Sequence, residues 1–191
     1  MQVDEAEADR RVRRSRQAVL NAFADMVLDR RYEDIRIGDI LERANIGRTT
    51  FYAHFSGKED VLVQCMDWVL DTLANAVTEP DRDRLCEALA HVWENRNRGR
   101  TILNGTPGAC VERSLARRIE ALLQEQSVAR GFSDAPSLRL GANAVAATQM
   151  ALLQSWIRGD ASVTTGAMAD MVGRSARALA GAMLAGATVH A

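Results

Sequence analysis

Six polar side chains capable of hydrogen bonding follow a tight Asn-Ile-Gly turn in the N-terminal third of the chain. They are Arg48, Thr49, Thr50, Tyr52, His54 and Lys58. An arginine can bind both acceptors of a guanine edge, and threonine offers a hydroxyl to phosphates and a methyl group to thymine. We expect the last three to grip the sugar-phosphate backbone, where a helix beginning at Lys58 would also direct free N–H groups at a phosphate. These residues predict a face that reads duplex DNA.

The elements that must position this face form a helix-turn-helix pattern. Ile37–Ala44 and Arg48–Phe55 each have an apolar side at helical spacing, which predicts two short helices. Asn45 and Gly47 between them tolerate the left-handed or extended backbone of a tight turn. In such a motif the second helix presents its outer face to the major groove. The angle between the helices would be fixed by inward apolar side chains, namely Ile40, Leu41, Ile46, Phe51 and Phe55.

The flanking segments predict further helices. Apolar spacing indicates a helix over Arg10–Arg30, preceded by a flexible acidic tail at residues 1–9. Ser56 can cap the next helix in a capping-box spacing with Glu59. That helix is expected to run without interruption over Lys58–Val77, so that it would act as a lever between the two parts of the chain.

The remainder of the chain is predicted to be helical as well, since it shows no strand-like alternation of apolar residues. The expected elements are helices over 83–97, 109–131, 138–158 and 161–186, with a loose glycine-rich segment at 99–108. The fold class is therefore all-α, with an N-terminal three-helix helix-turn-helix head, a C-terminal helical effector and dimerisation domain, and about nine helices. The expected domains are residues 10–57, which bind DNA, and residues 58–191, which bind a ligand and dimerise.

The charge of the chain is distributed unevenly. The net charge is only −1, but Arg10–Lys58 holds eleven Lys or Arg and six Asp or Glu, a net of +5. The other residues together carry a net of −6. A basic head on an acidic body predicts that only the head meets a polyanion. The arginines at 10, 11, 13, 14 and 16 have two interpretations, either an arm that contacts the minor groove or phosphates, or a solvated helix start.

Several other classes of protein find no support in the sequence. No apolar run approaches the roughly 18 residues of a membrane span, and the N-terminus has no signal-peptide core, so we expect a cytoplasmic protein. The three cysteines form no CxxC pair, and the three histidines have no metal-ligand spacing, so no metal or cofactor is expected. A small helical enzyme would need a nucleophile-base pair, paired carboxylates or a phosphate loop, and none is apparent. A helical adaptor that binds proteins through its basic head is the other alternative.

The same segment resembles the signature of the TetR family of regulators. In that signature the recognition helix ends in Tyr-x-His-Phe and is followed by Lys-Glu and a leucine. The matching residues here are Tyr52, His54, Phe55, Lys58, Glu59 and Leu62, preceded by Ala44-Asn45-Ile46-Gly47. The chain departs from the pattern at Arg36 and Gly47, where Ser or Thr commonly caps the two short helices.

The resemblance implies how the whole molecule works. Family members are all-helical homodimers that place two recognition helices about one DNA turn apart on a palindromic operator. Most are repressors, which a small-molecule ligand releases from DNA. An apolar effector site could be formed by Trp68, Trp93, Cys110, Phe132, Met150 and Trp156, although such residues are more often plain core. A dimer contact is expected on the last two helices, since the final one carries Gly173, Ala176, Ala180, Gly181 and Leu184 at helical spacing. The alternative is a contact within the chain through the same face.

Overall fold

The computed structural model describes residues 2–78, 81–103, 106–129 and 135–186. The side chains of residues 2–9, 135–136 and 184–186 are outside this description, as are Phe132 and the side chain of Leu184. Within the described residues the regular structure is entirely helical, as predicted. The α-helices are α1 (Gln2–Asp29), α2 (Ile37–Ala44), α3 (Arg48–Tyr52), α4 (Lys58–Cys65), α5 (Asp67–Asn75), α6 (Arg82–Glu94), α7 (Arg96–Leu103), α8 (Thr106–Ala129), α9 (Ala135–Arg158) and α10 (Thr165–Gly186). A short 3-10 turn covers Tyr32–Asp34.

Contacts divide the chain into two compact units, Met1–Met66 and Asp67–Ala191. In the first unit, α1 packs against α2, α3 and α4. Its buried core includes Val19, Phe23, Met26, Tyr32, Ile35, Ile40, Leu41, Phe51, Phe55, Val61 and Leu62. Helices as short as α2, α3 and α4 are only marginally stable alone. Burial of these apolar side chains, which come from every helix of the unit, therefore provides most of the free energy that holds the three short helices on α1.

The first unit differs from the sequence prediction at three places. Helix α1 begins at Gln2, so the predicted tail at 2–9 is helical. Helix α3 ends at Tyr52, three residues before the predicted end. The predicted continuous helix over 58–77 is wrong, since α4 ends at Cys65 and Met66 has non-helical backbone angles, φ −108° and ψ 5°. A new helix, α5, begins at Asp67.

The position of this break bears on the domain boundary. The prediction divides the chain between residues 57 and 58, whereas the contacts place α4 in the first unit. Helix α4 packs on α1 through the buried Val61 and Leu62. The single lever helix is therefore replaced by two shorter helices that meet at Met66.

The second unit is built around α8, α9 and α10. Helix α9 packs against both α8 and α10, α5 packs on α8, and α6 packs on α10. Polar contacts reinforce this arrangement. Arg118 of α8 binds the carboxylates of Asp67 and Asp71 on α5, and Gln149 of α9 donates to the Leu73 carbonyl at 3.0 Å. Helix α9 ends in a left-handed Gly159 (φ 88°), with the paired backbone bonds of a Schellman motif.

The glycine-rich segment at 99–108 was predicted to be loose, and this is wrong for the residues described. Arg96–Leu103 forms α7, and α8 begins at Thr106. The Nε of Arg100 donates to the Ile157 carbonyl at 2.7 Å, and Gln154 donates to the Leu103 carbonyl at 2.8 Å. A Cβ at Gly108 would overlap the Leu103 carbonyl oxygen. This glycine therefore serves a close approach of two helices rather than flexibility.

The helices of the described residues also bear on membrane insertion. None of them combines the length and the apolar character needed to cross a bilayer.

Candidate nucleic-acid interface

The turn between α2 and α3 depends on Asn45. This residue has left-handed angles, φ 52° and ψ 49°, and it is the one non-glycine residue with positive φ among those the structure describes. The N–H of Ile46 donates to the Leu41 carbonyl at 3.1 Å and closes the end of α2. Gly47 has φ −79°, which any residue can adopt, and a Cβ there would meet nothing within 4 Å. The special backbone conformation is therefore carried by Asn45 and not by Gly47.

The missing cap at Arg36 is replaced by an interaction from inside α2. Asp39, in the first turn, accepts a hydrogen bond from the Arg36 backbone N–H at 3.0 Å. Its carboxylate also lies 3.6 Å from the guanidinium of Arg30. An acidic side chain in the first turn is favoured by the helix dipole as well. Helix α2 thus has a defined start without the Ser or Thr that the family pattern favours.

The inner side of α3 is fixed by two phenylalanines. Phe51 and Phe55 are each at most 1% exposed, and their ring centres lie 5.4 Å apart. Ile40 and Leu41 of α2 are buried as well, as the sequence predicted, while Ile46 is only half-buried. This anchoring sets which side of α3 faces outward.

The outer side of α3 carries the predicted polar residues. Arg48, Thr49 and Tyr52 are exposed, and Thr50 and His54 are half-buried. Tyr52 is 53% exposed, and its ring packs edge-to-face with Phe51, with ring centres 5.3 Å apart. Within the part of the chain that the structure describes, the side chains of these five residues form no hydrogen bond or ion pair. The structure therefore brings five of the six predicted contact residues together with their polar groups available.

Lys58 is the exception among the six. Its ammonium donates to the carbonyls of Tyr32 and Ile35, at 2.7 and 2.8 Å, and lies 4.2 Å from the centre of the Tyr32 ring. Two of its three N–H groups are therefore used inside the protein. Lys58 joins the start of α4 to the 3-10 turn after α1. A phosphate contact through the third N–H stays a prediction.

A hydrogen-bonded network behind α3 was not predicted from the sequence. Gln64 of α4 accepts from Arg16 of α1 at 2.8 Å, and its amide donates to Asp60 at 3.0 Å and to the His54 carbonyl at 3.4 Å. The other Asp60 oxygen accepts from the Ser56 backbone N–H at 2.9 Å. The network fixes the segment between α3 and α4. No sequence signal identified it, because its residues come from two helices far apart in the chain.

This network also corrects the predicted cap of α4. The expected pairing of Ser56 with Glu59 in a capping box is wrong, because the residue before the helix is Gly57, which makes no side-chain cap. Asp60 takes the third helical position and reaches back to Ser56. The acceptor is therefore one residue later than the prediction.

The arginine cluster near the N-terminus lies on α1 and not on an extended arm. Arg10, Arg11 and Arg14 are exposed on this helix. Arg13 and Arg16 have interactions within the protein. The cluster therefore lies on a helix rather than on an extended arm, and contact of its exposed arginines with DNA stays a prediction.

The predicted effector residues do not form one group. Cys110, Met150 and Trp156 are buried, whereas Trp68 and Trp93 are 40% and 37% exposed. Trp93 stacks on Trp156 with ring centres 4.8 Å apart, and the Trp156 indole N–H donates to the Val163 carbonyl. The Trp68 ring instead packs against the His91 ring, with ring centres 5.3 Å apart. The structure thus brings Trp93 and Trp156 into contact, whereas Trp68 contacts His91.

Sequence comparison places the N-terminal segment in a known family. Residues 24–65 match the family described as bacterial regulatory proteins, tetR family. A stretch of 59 residues is 44% identical to the uncharacterized HTH-type transcriptional regulator YxbF of Bacillus subtilis, and covers 30% of this chain and 16% of that protein. A stretch of 75 residues is 35% identical to the HTH-type transcriptional regulator EthR of Mycobacterium tuberculosis, and covers 36% of this chain and 35% of that protein. The chain thus matches about a third or less of the length of these relatives.

Comparison with solved structures covers most of the chain. A TetR transcriptional regulator from Streptococcus agalactiae has a TM-score of 0.56 and 20% identity, over 90% of this chain and 98% of that one. NalD, the secondary repressor of the MexAB-OprM efflux pump of Pseudomonas aeruginosa, has a TM-score of 0.52 and 14% identity, over 86% of this chain and 96% of that one. These likenesses establish the fold, and the named relatives are regulators rather than enzymes. The chain therefore has the fold of solved TetR regulators, and residues 24–65 match the tetR family of bacterial regulatory proteins.

Proposed function

We propose that this chain is a sequence-specific DNA-binding transcriptional regulator that reads DNA with the outer face of α3. The observation that carries the proposal is the set of five polar side chains, from Arg48 to His54, that have no partner within the described residues. Each lies on or directly after a short helix that Phe51 and Phe55 hold in place. Polar groups that are held rigidly and left unsatisfied by the protein suit a hydrogen-bonding partner such as a base edge or a phosphate.

The residues of this face have different roles in the proposal. Arg48, the first residue of α3, reads a guanine edge, because its guanidinium is exposed and unpaired. Thr49 and Thr50 contact phosphates or thymine methyl groups. Tyr52 and His54 bind the sugar-phosphate backbone and fix the register of the helix in the groove. Lys58 acts mainly by holding the 3-10 turn against α4.

The regulator acts as a homodimer on a palindromic operator. Ala176 and Ala180 of the predicted contact face are buried within the chain, so support comes instead from exposed uncharged residues elsewhere on two neighbouring helices. Their spacings are three and four residues on α9, and four and seven on α10, where Arg174 lies between Met171 and Ala178. The stripe on α9 consists of Leu140, Asn143, Ala147 and Ala151, and that on α10 of Ala167, Met171, Ala178 and Ala182. Leu140 is 69% exposed in the single chain. Small uncharged side chains let helices approach closely, so two copies would form a four-helix interface.

The proposed regulation is repression that a small apolar effector relieves. Residues 67–191 would bind the effector, and the chain would work in the cytoplasm, where its DNA is. NalD, which shares the fold, is described as a repressor. An effector weakens DNA binding only through its difference in affinity between two conformations. Because the backbone leaves helical geometry at Met66, coupling between the units does not require the rigid rotation of one long helix.

Capture of sheared genomic DNA by the purified full-length chain tests the proposal. The wild type is compared with Arg48→Ala/Tyr52→Ala and with a control, Arg31→Ala, which removes an exposed arginine from the same unit. Enrichment of a few palindromic fragments by the wild type and the control, and not by the double variant, is the expected result. Equal enrichment by all three, or by none, would contradict the proposal and favour the protein-binding adaptor.

A further inference from the structure

A surface cavity of about 340 Å³ lies between the N-terminal end of α6 and the middle of α10. Two buried apolar residues, Leu85 and Ala169, contribute to its lining. The remaining lining is Arg82, Asp170, Gly173, Arg174 and Arg177. A cavity of this size is at the lower end of the range for small-molecule sites. None of the six predicted effector residues contributes to it, so it is distinct from the effector site of the proposed function.

The charges in this cavity are unbalanced. Arg82 and Asp170 neutralise each other through two hydrogen bonds, Nε to Oδ1 at 2.9 Å and Nη2 to Oδ2 at 3.4 Å. The hydrogen bond from Arg82 also lowers the pKa of Asp170, so this carboxyl is ionised at neutral pH. Arg174 and Arg177 have no hydrogen bond or ion pair with any other described residue. The four charged residues of the lining therefore sum to a net charge of +2, although Asp170 also interacts electrostatically with Arg174.

The glycine at 173 determines how close one of these arginines lies to the helix. A Cβ at that position would be 3.2 Å from an Nη of Arg177, so the guanidinium lies across backbone that carries no side chain. Arg174 and Arg177 are three residues apart and therefore neighbours on one face of α10. Two planar guanidinium groups on one face of a helix match the several oxygens of one phosphate better than they match a single chloride ion.

We propose that this cavity binds a small phosphate monoester, with Arg174 and Arg177 holding the phosphate and Leu85 and Ala169 contacting the organic part. A phosphate monoester carries a charge of about −1.5 to −2 at neutral pH, which balances the two unpaired guanidiniums. Asp170 keeps Arg82 at the side of the cavity and limits its positive charge. The site needs no part of α3, so its existence is independent of DNA recognition.

Calorimetric titration of the full-length chain with phenyl phosphate at constant ionic strength tests this site. Arg174→Gln/Arg177→Gln is expected to weaken the dissociation constant by about tenfold or more, because it removes the charge-assisted hydrogen bonds. Asp170→Asn is expected to tighten binding, since it removes the one negative charge of the cavity. Arg117→Gln, which replaces an exposed arginine of α8 outside the cavity, is the matched control and should bind as the wild type does.

Three results would overturn the proposal. The first is an unchanged dissociation constant in the double variant, and the second is equal heat from sodium chloride at the same ionic strength. The third is tighter binding of succinate than of phenyl phosphate, which would make the site one for dicarboxylates. Arg48→Ala/Tyr52→Ala serves as a further control, because phosphate binding at the DNA-reading face would be lost there while binding at this cavity would persist. Circular dichroism of each variant separates a lost site from a lost fold.

Discussion

The ammonium of Lys58 lies 4.2 Å from the centre of the Tyr32 ring and donates a 2.7 Å hydrogen bond to the Tyr32 carbonyl oxygen. A second bond, to Ile35, makes this lysine the tie between the 3-10 turn and α4. Lys58, which the sequence suggests as a phosphate ligand, thus stabilises the fold of the head. Variants at this position need a stability measurement beside any measurement of DNA affinity.

Lys58→Met keeps the apolar stem of the side chain and removes both hydrogen bonds. We expect it to lower the free energy of unfolding by about 2 kcal/mol, because two hydrogen bonds from a charged donor are lost and the carbonyls of Tyr32 and Ile35 lose their donor. Urea denaturation followed by circular dichroism measures the change. Arg36→Met, which removes an exposed positive charge nearby, should leave the unfolding midpoint almost unchanged. A Lys58→Met protein as stable as the wild type would contradict the anchoring role.

Arg48→Ala is expected to act on DNA and not on stability. The side chain is exposed and has no partner among the described residues, so its removal should leave thermal unfolding unchanged. Loss of a bidentate base contact should weaken operator affinity about ten- to hundredfold and relax the preference at one base position. Fluorescence anisotropy with the operator and single-base variants measures both effects. If affinity fell equally for every DNA sequence, Arg48 would be a phosphate ligand instead.

Gly47→Ser should stabilise the head. The position has ordinary extended angles and open space, and serine is a better residue than glycine before a helix. The expected gain in unfolding free energy is about 0.5–1 kcal/mol, partly from the less flexible unfolded chain. Thermal unfolding of this variant is measured beside that of Asn45→Ala. Alanine in the left-handed conformation of residue 45 should lower the free energy of unfolding by about 1 kcal/mol. A destabilised Gly47→Ser protein would show that this site has a backbone requirement absent from the structure.

Gly108→Ala should destabilise the second unit by about 1–3 kcal/mol, because the added methyl group meets the backbone carbonyl of Leu103 and neither helix can move without disturbing others. Gly38→Ala in α2 is the opposite case, with nothing within 4 Å of the new Cβ. Alanine favours a helix over glycine, so this control should be neutral or stabilising. Differential scanning calorimetry compares the two, and equal stability for both variants would refute the close contact.

Much of the head was predictable because its signals are local. The bounds of α2 follow from its apolar spacing and the Asn-Ile-Gly turn, and the burial of Phe51 and Phe55 follows from their separation of four residues. The role of Lys58 was not predictable, since its acceptors are backbone carbonyls 23 and 26 residues earlier. The break at Met66 was also missed, because the apolar period of Val61, Leu62, Val69 and Leu73 continues through it.

The second unit was harder to predict for a related reason. Glycines at 99 and 108 indicate flexibility when only the neighbouring sequence is considered. Their environment shows otherwise, since side chains from both helices hold α7 to α9. Arg100 of α7 donates to a carbonyl of α9, and Gln154 of α9 donates to a carbonyl of α7. Aromatic residues likewise indicate burial, yet Trp68 and Trp93 keep over a third of their surface exposed. Composition alone does not determine which faces meet.

The close approach at Gly108 also has an evolutionary consequence. Every amino acid other than glycine carries a Cβ, so any replacement of this residue is destabilising as long as α8 starts against the Leu103 carbonyl. Gly47, in open space beside the DNA-reading face, is free to vary. Among descendants of a common ancestor, position 108 should therefore remain glycine while position 47 varies among small polar residues, even though only position 47 lies next to the residues proposed to contact DNA.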